Sequence, residues 1–332
     1  MKVCVFGAGA IGGHLAVRLA RGGAEVSVVA RGATLDAIRA RGITIHTPDG
    51  AFTAHPRASD TASDLGIQDA VIVTAKSHQL PGVAAGIGGL LGEATPVAFV
   101  TNGIPWWYFD RHGGPLDGHP LPNLDPSGAV RRGVGIARTI GGVVYSACTM
   151  TEPGVIHVEH ARNRVILGEP DGTMSERAGR LAAVLEVGGL TAPVVPDIRR
   201  EVWRKLVANL SSGPLALLTR QDLATTVSDP AVEPYFLKAL AEAAAIARAL
   251  GQDTGMDVTD RAKAGGSLRH RPSILQDLDA GKPVELEAMG IAPLQLARLV
   301  GVETPVLDLW IAMARMAARH AGAYPGEGAA PA

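Results

Sequence analysis

The chain has 332 residues, a formal net charge of −1 and two cysteines, Cys4 and Cys148. This length is enough for about two domains with their own buried cores, and it excludes a small disulfide-stapled scaffold. The balanced charge excludes a field that would hold nucleic acid or an anionic membrane surface, so neither is an expected partner. Two cysteines alone make neither a disulfide framework nor a zinc site, and we expect a reducing, cytoplasmic setting and no bound metal.

Predicted strands and helices alternate in the first half of the chain. Met1 and Lys2 lead into an apolar run that is too short for a signal peptide or a membrane span. β-Branched runs separated by amphipathic stretches predict a parallel sheet with crossover helices. The predicted strands cover 2–6, 25–30, 70–74 and 96–100, and the predicted helices cover 11–21, 34–41 and 80–91.

A loop and a group of short strands are predicted next. Residues 110–128 are rich in Pro, Gly and Asp and carry little periodicity, which predicts a loop insertion. Residues 141–150 and 154–160 are predicted to be adjacent strands joined by a turn at Glu152-Pro153. A third strand is predicted over 165–167.

After Pro196 the chain consists of long stretches rich in Ala and Leu with helical spacing of the apolar residues. The predicted helices cover 202–218, 232–250, 284–299 and 305–321. The predicted fold class is therefore an α/β N-terminal Rossmann-type domain with a mostly parallel sheet, over 1–196, and an all-α C-terminal helical-bundle domain, over 197–321. The small, Pro-Gly-rich residues 322–332 are expected to form a disordered tail.

The first predicted strand runs directly into a glycine loop, in which Gly7, Gly9 and Gly12 match the pattern GxGxxG. At the junction of a strand and a helix this pattern is typical of dinucleotide binding. The first glycine allows the tight turn, the second lets the backbone approach a pyrophosphate, and the third allows close packing. The pyrophosphate would sit at the start of the helix, against Ala10 and Ile11. A glycine-rich turn without a ligand is the alternative.

The end of the second predicted strand selects between NAD and NADP. An NAD site usually has an acidic residue there, which accepts hydrogen bonds from the ribose 2′-hydroxyl. In this chain the strand ends in Arg31, and the next carboxylate is Asp36. A guanidinium can bind a 2′-phosphate bidentately, so we predict NADP as the cofactor. A solvated surface arginine is the alternative.

Further motifs follow in a specific order along the chain: Thr74-Ala75-Lys76-Ser77-His78-Gln79, Thr101-Asn102-Gly103, Trp203-Arg204-Lys205-Leu206-Val207-Ala208-Asn209, Ser273-Ile274-Leu275-Gln276-Asp277 and Glu285-Leu286-Glu287. Together with the glycine loop, they resemble the ketopantoate reductase (2-dehydropantoate 2-reductase) family over residues 1–321. The resemblance implies an NADPH-dependent enzyme that reduces a 2-keto acid to a 2-hydroxy acid. It makes ketopantoate the leading small-molecule substrate, with a homodimer through the helical domain as a further expectation.

The resemblance also implies roles for individual residues. Lys205 would be the general acid that protonates the substrate carbonyl oxygen, and Glu285 would position its ammonium. From spacing alone, Lys205 and Asn209 share one face of a helix, where burial requires a polar partner for both. A surface charge on that helix, with a capping-type asparagine, is the alternative. The residues implied to bind substrate are Asn102, Asn209, Ser273 and Lys76, and those implied to bind cofactor beyond the glycine loop and Arg31 are Lys76, Gln79 and Asn102.

Each of these assignments has a structural alternative. Ser273 follows Pro272 at the start of a predicted helix, so its hydroxyl could equally be an N-cap. Glu285 could be a solvated glutamate at a helix start, and Lys76 a solvated loop lysine. Asn102 could simply form a turn with Gly103.

Two departures from the family pattern bear on the substrate. The Asn-Gly pair is followed by the bulky segment 104–109, which includes Trp106 and Trp107, and Gly213 stands where the family tends to have a second asparagine. A reductase for a bulkier keto acid or an opine-type imine is therefore one alternative function. A non-catalytic NADP-binding redox sensor is another, although such a protein would not need Lys205 and Glu285.

Overall fold

A computed structural model describes residues 1–266 and 271–324 of the chain. The chain divides into two compact units. The first comprises Met1–Thr101 and Pro105–Ile198, and the second comprises Asn102–Ile104 and Arg199–Ala332. The division after Ile198 lies close to the boundary predicted at 196. The short segment Asn102–Ile104, predicted to lie in the first domain, instead groups with the helical unit.

The strands of the described residues all belong to the first unit. In chain order they are β1 (Lys2–Phe6), β2 (Glu25–Val29), β3 (Ile43–Thr47), β4 (Gly50–Ala54), β5 (Arg57–Ser59), β6 (Ala70–Val73), β7 (Val97–Val100), β8 (Thr139–Tyr145), β9 (Cys148–Glu152), β10 (Val155–Val158) and β11 (Arg164–Gly168). The main sheet has the order β11-β8-β7-β6-β1-β2-β5, parallel except for β11, which pairs antiparallel with β8. The predicted Rossmann-type sheet is confirmed.

A second, four-stranded sheet has the order β4-β3-β10-β9. The single strand predicted over 141–150 is wrong, because the chain leaves the main sheet after β8 and enters the second sheet as β9. The hairpin predicted around Glu152-Pro153 is confirmed, since β9 and β10 pair antiparallel. Strands β3, β4 and β5 were not predicted, although β3 carries the β-branched residues Ile43, Thr44, Ile45 and Thr47.

The helices of the described residues are α1 (Ala10–Arg21), α2 (Gly32–Arg41), α3 (Leu80–Gly86), α4 (Ala129–Gly133), α5 (Glu176–Val187), α6 (Ile198–Thr219), α7 (Leu223–Val227), α8 (Glu233–Ala249), α9 (Val258–Gly266), α10 (Ser273–Asp279), α11 (Ala292–Leu299) and α12 (Pro305–His320). The predicted all-α second domain is confirmed. The helix predicted over 284–299 is confirmed from residue 286 onward, but its first part is a π-helical turn, Glu287–Ile291, that runs directly into α11. None of the helices in the described residues is both long and apolar enough to cross a membrane.

Helix α1 is buried and carries two polar residues, His14 and Arg18, on its covered surface. Arg18 Nε donates to His14 Nε2 at 3.1 Å, and burial lowers the pKa of His14 to about 3, so its ring is neutral. The remaining ring nitrogen, Nδ1, therefore donates to Ser146 Oγ at 3.0 Å, and Ser146 donates to Asn163 Oδ1 at 2.7 Å. These bonds satisfy the buried polar groups and fix the rotation of α1 about its axis.

The aromatic segment Trp106–Phe109 is the part of the first unit that departs most from expectation. All four side chains are at most 3% exposed. The rings of Trp106 and Phe99 lie edge to face, with centroids 5.7 Å apart. A Cβ atom on Gly141 of β8 would lie 2.5 Å from the Trp107 ring, so the glycine makes room for that indole. The segment is therefore packed in the core of the first unit.

The loop insertion over 110–128 contains one short 3₁₀ turn, Gly114–Leu116, and no strand or α-helix. It is attached by the buried Asp110, whose carboxylate accepts two hydrogen bonds from Arg131. His119 adds an edge-to-face contact with Phe109, with ring centroids 5.5 Å apart. The prediction of a loop is confirmed.

The predicted start of the disordered tail, residue 322, is too early, because residues 323 and 324 are packed against the helical unit. Ala323 is 1% exposed, and its N–H donates to Ala318 O at 2.9 Å. Tyr324 is also held in place, because its hydroxyl donates a hydrogen bond to the carboxylate of Glu287. Residues 325–332 lie outside the described residues.

Candidate functional site

The glycine loop joins β1 to α1 through contacts that exclude larger side chains. Gly7 has a φ of +107°, a conformation that side-chain-bearing residues rarely adopt. A Cβ atom on Gly12 would lie 1.9 Å from Gly7 O, so α1 packs directly against the turn. Thr74 Oγ1 donates to Gly7 O at 2.7 Å and joins this turn to the end of β6. No sequence pattern predicted this role of Thr74.

The surface above the loop is open. A Cβ atom on Gly9 would meet nothing within 4 Å, and Gly9 is the N-cap of α1 without a side-chain cap. The first turn of α1 contains no acidic residue. Its N–H groups and the positive end of the helix dipole therefore face the place where a pyrophosphate binds in this type of fold. Gly9, Ala10 and Ile11 fit the nucleotide predicted from the motif.

The sheet order places this loop at the point where the order of strand addition reverses. From the central β1 the chain builds outward through β2 and β5 on one side and through β6, β7 and β8 on the other. Open α/β sheets bind ligands at the carboxyl ends of the strands at such a switch point. Lys76, half-buried, lies at this edge beyond β6. The exposed Gln79 accepts a hydrogen bond from the Lys76 backbone N–H at 3.1 Å, so its side chain caps the turn there.

Arg31 lies just beyond the carboxyl end of β2, as predicted. It is exposed and is the N-cap of α2. Its guanidinium makes no hydrogen bond or ion pair with any other residue in 1–266 or 271–324. The first turn of α2 also lacks an acidic residue. An unpaired guanidinium beside a helix N-terminus suits a dianionic phosphate.

In the second unit, Lys205 is placed on the half-buried face of α6. Its ammonium donates a hydrogen bond to Asn102 Oδ1 at 2.7 Å, which joins residues 103 positions apart in the chain. Both residues were expected in the site from the family resemblance, but their direct contact was not. Because the amide oxygen accepts, it fixes the direction of the Lys205 ammonium without neutralising its charge.

The pKa of the Lys205 ammonium is set by its burial and by the charge of Glu285. Burial lowers the pKa of Lys205 from 10.5 to about 8, and the negative charge of Glu285 opposes this shift. Glu285 is only 8% exposed, which contradicts the alternative of a solvated glutamate. It lies just before the helical turn and not within a helix as predicted. An ammonium with a pKa near 8 is a much better proton donor than an ordinary lysine.

The π-helical turn Glu287–Ile291 holds the segment that carries Asn102. Ile104 N–H donates to Ala288 O at 2.8 Å. Gly103 has a φ of +81°, and a Cβ atom there would lie 2.3 Å from the same carbonyl oxygen. The glycine after Asn102 is therefore required both by its conformation and by the close approach of Ala288. π-Helical turns are frequent at functional sites, but no sequence signal predicted this one.

The other predicted substrate residues differ in their surroundings. Asn209 is half-buried one turn after Lys205, and its side-chain amide has no hydrogen-bond partner among the described residues. Ser273 is exposed at the first position of α10; Pro272 is the N-cap, so the N-cap alternative for Ser273 is wrong. A Cβ atom on Gly213 would lie 3.4 Å from Ile274 Cγ2, so this glycine allows α6 and α10 to pack closely.

The predicted residues thus fall into two groups. Arg31, Lys76, Gln79 and the glycine loop belong to the first unit, whereas Asn102, Lys205, Asn209, Ser273 and Glu285 belong to the second. Within the second, the structure brings together Lys205, Asn102 and Glu285. The aromatic segment Trp106–Phe109, which the sequence suggested could alter the substrate pocket, is buried in the first unit.

Comparisons with known proteins agree with this arrangement. Residues 3–107 match the family described as "Ketopantoate reductase PanE/ApbA", and residues 197–318 match its C-terminal domain. A 2-dehydropantoate 2-reductase from Mesorhizobium japonicum is 43% identical over 98% of this chain and 100% of its own length.

Solved structures extend the likeness to the fold. A crystal structure of a Ralstonia solanacearum protein has a TM-score of 0.91 and 37% identity, and covers 97% of this chain and 99% of its own. A PanE/ApbA family ketopantoate reductase from Ralstonia eutropha has a TM-score of 0.82 and 25% identity, and covers 97% and 99%. The resemblance drawn from the motifs is confirmed, and the chain belongs to the ketopantoate reductase family.

Proposed function

We propose that this chain reduces ketopantoate (2-dehydropantoate) to pantoate with NADPH, and that Lys205 is the proton donor. The observation that carries the proposal is the Lys205 ammonium, hydrogen-bonded to Asn102 Oδ1 at 2.7 Å and electrostatically coupled to the buried Glu285. The family match and the 43% identical 2-dehydropantoate 2-reductase support the choice of reaction.

The proposed chemistry divides between cofactor and protein. When bound, NADPH supplies the hydride that reduces the carbonyl carbon. The Lys205 ammonium hydrogen-bonds the carbonyl oxygen, stabilises the negative charge that develops there and donates the proton. Glu285 keeps the ammonium charged in its buried setting, and Asn102 directs it. Asn209, whose amide has no partner among the described residues, is free to bind a polar group of the substrate.

Three of the remaining site residues have supporting but less direct roles. Lys76 stands at the ligand-binding edge of the main sheet, where its charge suits a substrate carboxylate or the cofactor. Ser273 is exposed at the start of α10, and its hydroxyl is available to a substrate oxygen. Gln79 contributes mainly by capping the turn that carries Lys76.

The substrate assignment is tested by a steady-state assay of NADPH oxidation with a panel of 2-keto acids. We expect the highest kcat/KM with ketopantoate. A clear preference for an aromatic keto acid or for a keto acid paired with an amine would replace ketopantoate by one of the alternatives. Binding of NADPH without turnover of any member of the panel would favour the sensor.

The cofactor assignment makes a separate prediction for Arg31. Arg31→Ala should raise the KM for NADPH by about one to two orders of magnitude and leave the KM for NADH nearly unchanged, because only NADPH carries the 2′-phosphate. The measurement is a comparison of both KM values in wild type and variant. Arg39→Ala, which removes an exposed arginine of the same helix, is the matched control. Equal loss with both cofactors would contradict the role of Arg31.

We further propose a homodimer in which a second copy covers the exposed apolar face of α12. Leu309, Met313 and Met316 are 58%, 45% and 68% exposed and recur at helical spacing. A two-fold axis would bring the same face of two copies together. Light scattering after size exclusion should give a dimer mass that Met316→Lys lowers to a monomer. Met174→Lys, at a residue 63% exposed in the first unit, should have no effect. A monomeric wild type would contradict the proposal.

For location, we propose the cytoplasm. Both cysteines are free thiols, as expected for a reducing compartment.

A further inference from the structure

The chain segment that follows α12 is packed against the segment that carries Glu285. Ala323 O accepts a hydrogen bond from Val284 N–H at 2.9 Å, and Ala323 is fully buried. The next residue, Tyr324, donates its hydroxyl to the Glu287 carboxylate. Two successive residues of the C-terminal segment thus hold the residues on both sides of Glu285.

The bond between Tyr324 and Glu287 has a defined direction. An ionised carboxylate only accepts hydrogen bonds, so the phenol is the donor. Burial and the negative charge of Glu287 both raise the pKa of Tyr324, so the phenol keeps its proton in the neutral range. The guanidinium of Arg319 lies 5.7 Å from the centre of the Tyr324 ring and adds a favourable contact. The contact is therefore a stable, charge-assisted hydrogen bond.

Glu287 opens the π-helical turn, and the same turn contacts the segment of Asn102. Ala288 O accepts from Ile104 N–H at 2.8 Å, and Gly103 lies against the same carbonyl. Asn102 Oδ1 in turn accepts from the Lys205 ammonium at 2.7 Å. A continuous series of contacts within the second unit therefore runs from Tyr324 through Glu287 and Ala288 to Asn102 and Lys205.

We propose that Tyr324 is a positioning residue for the reaction: its hydrogen bond to Glu287 holds the turn that sets Glu285 and Asn102 around the Lys205 ammonium. This inference rests on the proposed role of Lys205 as proton donor. Tyr324 touches neither substrate nor cofactor in this proposal. It acts by fixing the geometry of groups that do, and small displacements of such groups lower rates strongly.

The test is Tyr324→Phe, which removes the hydroxyl and keeps the ring. We expect kcat to fall by about tenfold while the KM for NADPH stays unchanged, because only the positioning of the proton donor is affected. Glu287→Ala should have the same effect, whereas Glu287→Gln keeps an acceptor oxygen and should retain most of the activity. The double variant Tyr324→Phe with Glu287→Ala should be no slower than either single variant, because both remove the same bond.

Tyr235→Phe is the matched control, since Tyr235 is a 53% exposed tyrosine of α8 in the same unit. Its kcat should equal that of wild type. An unchanged kcat in Tyr324→Phe would overturn the inference, as would fully multiplicative losses in the double variant. If Lys205→Ala is inactive in the same assay, these two contrary results contradict only the role of Tyr324 and leave the role of Lys205 intact. If Lys205→Ala stays active, the proposed role of Lys205 as proton donor fails, and the inference that rests on it fails with it.

Discussion

Lys205→Ala is expected to lower kcat by about two to four orders of magnitude, the range typical of a positioned proton donor, and to leave the KM for NADPH nearly unchanged. The alanine cannot donate a proton or stabilise the charge on the substrate oxygen. It also leaves Asn102 Oδ1 without its 2.7 Å hydrogen bond and Glu285 without its cation. The glycine loop and Arg31, which are proposed to bind the pyrophosphate and the 2′-phosphate of the nucleotide, lie in the other unit of the chain and are not altered.

The pH dependence of kcat provides a second measure of the same residue. Reduction needs the protonated ammonium, so kcat should be constant below the pKa of Lys205, which is about 8, and should fall by about tenfold per pH unit above it. Glu285→Gln removes the negative charge that raises this pKa. In that variant the fall should begin at lower pH.

Lys263→Ala, which removes an exposed lysine of α9 in the second unit, is the control for loss of a positive charge. It should keep the wild-type kcat and pH profile. If Lys205→Ala retains more than about a tenth of the wild-type kcat, the proton donor is another residue. Lys76 is then the next candidate.

Trp107→Ala is expected to destabilise the protein by about 3–5 kcal/mol, the usual cost of truncating a fully buried tryptophan. Trp107 is 1% exposed, and its ring fills the space left by Gly141 of β8. Truncation would leave a cavity in the core of the first unit. For a unit of this size the melting temperature should fall by roughly 10 °C.

The same variant should leave the ranking of 2-keto acids by kcat/KM unchanged, because the indole is packed inside the first unit. Trp106→Ala should behave alike, since Trp106 is 3% exposed and packs against Phe99. Thermal unfolding and the keto acid panel measure the two effects. If the ranking of 2-keto acids changed while the stability did not, the aromatic segment would line the substrate pocket, and a bulkier substrate would be favoured.

Local sequence patterns were sufficient to predict the elements that carry the glycine loop, Arg31, Lys205 and Asn209. Gly7, Gly9 and Gly12 occupy a strand-to-helix turn whose steric demands are set by residues close in sequence. Arg31 lies just beyond the end of β2, and Lys205 and Asn209 lie one turn apart on α6. In each case periodicity or turn chemistry over a few residues determines where the side chain is placed. The sequence alone therefore predicted the Rossmann-type domain, the helical domain and the positions of these side chains within their strands, turns and helices.

Only the tertiary structure decided which of these elements meet. The chain from β8 to β9 passes from one sheet to the other, and Asn102 groups with the helical unit, although both segments have unremarkable local patterns. The hydrogen bond from Lys205 to Asn102 and the contact of Tyr324 with Glu287 join residues 103 and 37 positions apart. Such pairings depend on the packing of distant segments and on the burial it creates, which no pattern over neighbouring residues encodes. The same burial lowers the pKa of Lys205 to about 8 and so gives an ordinary lysine the acidity that the proposed reaction needs.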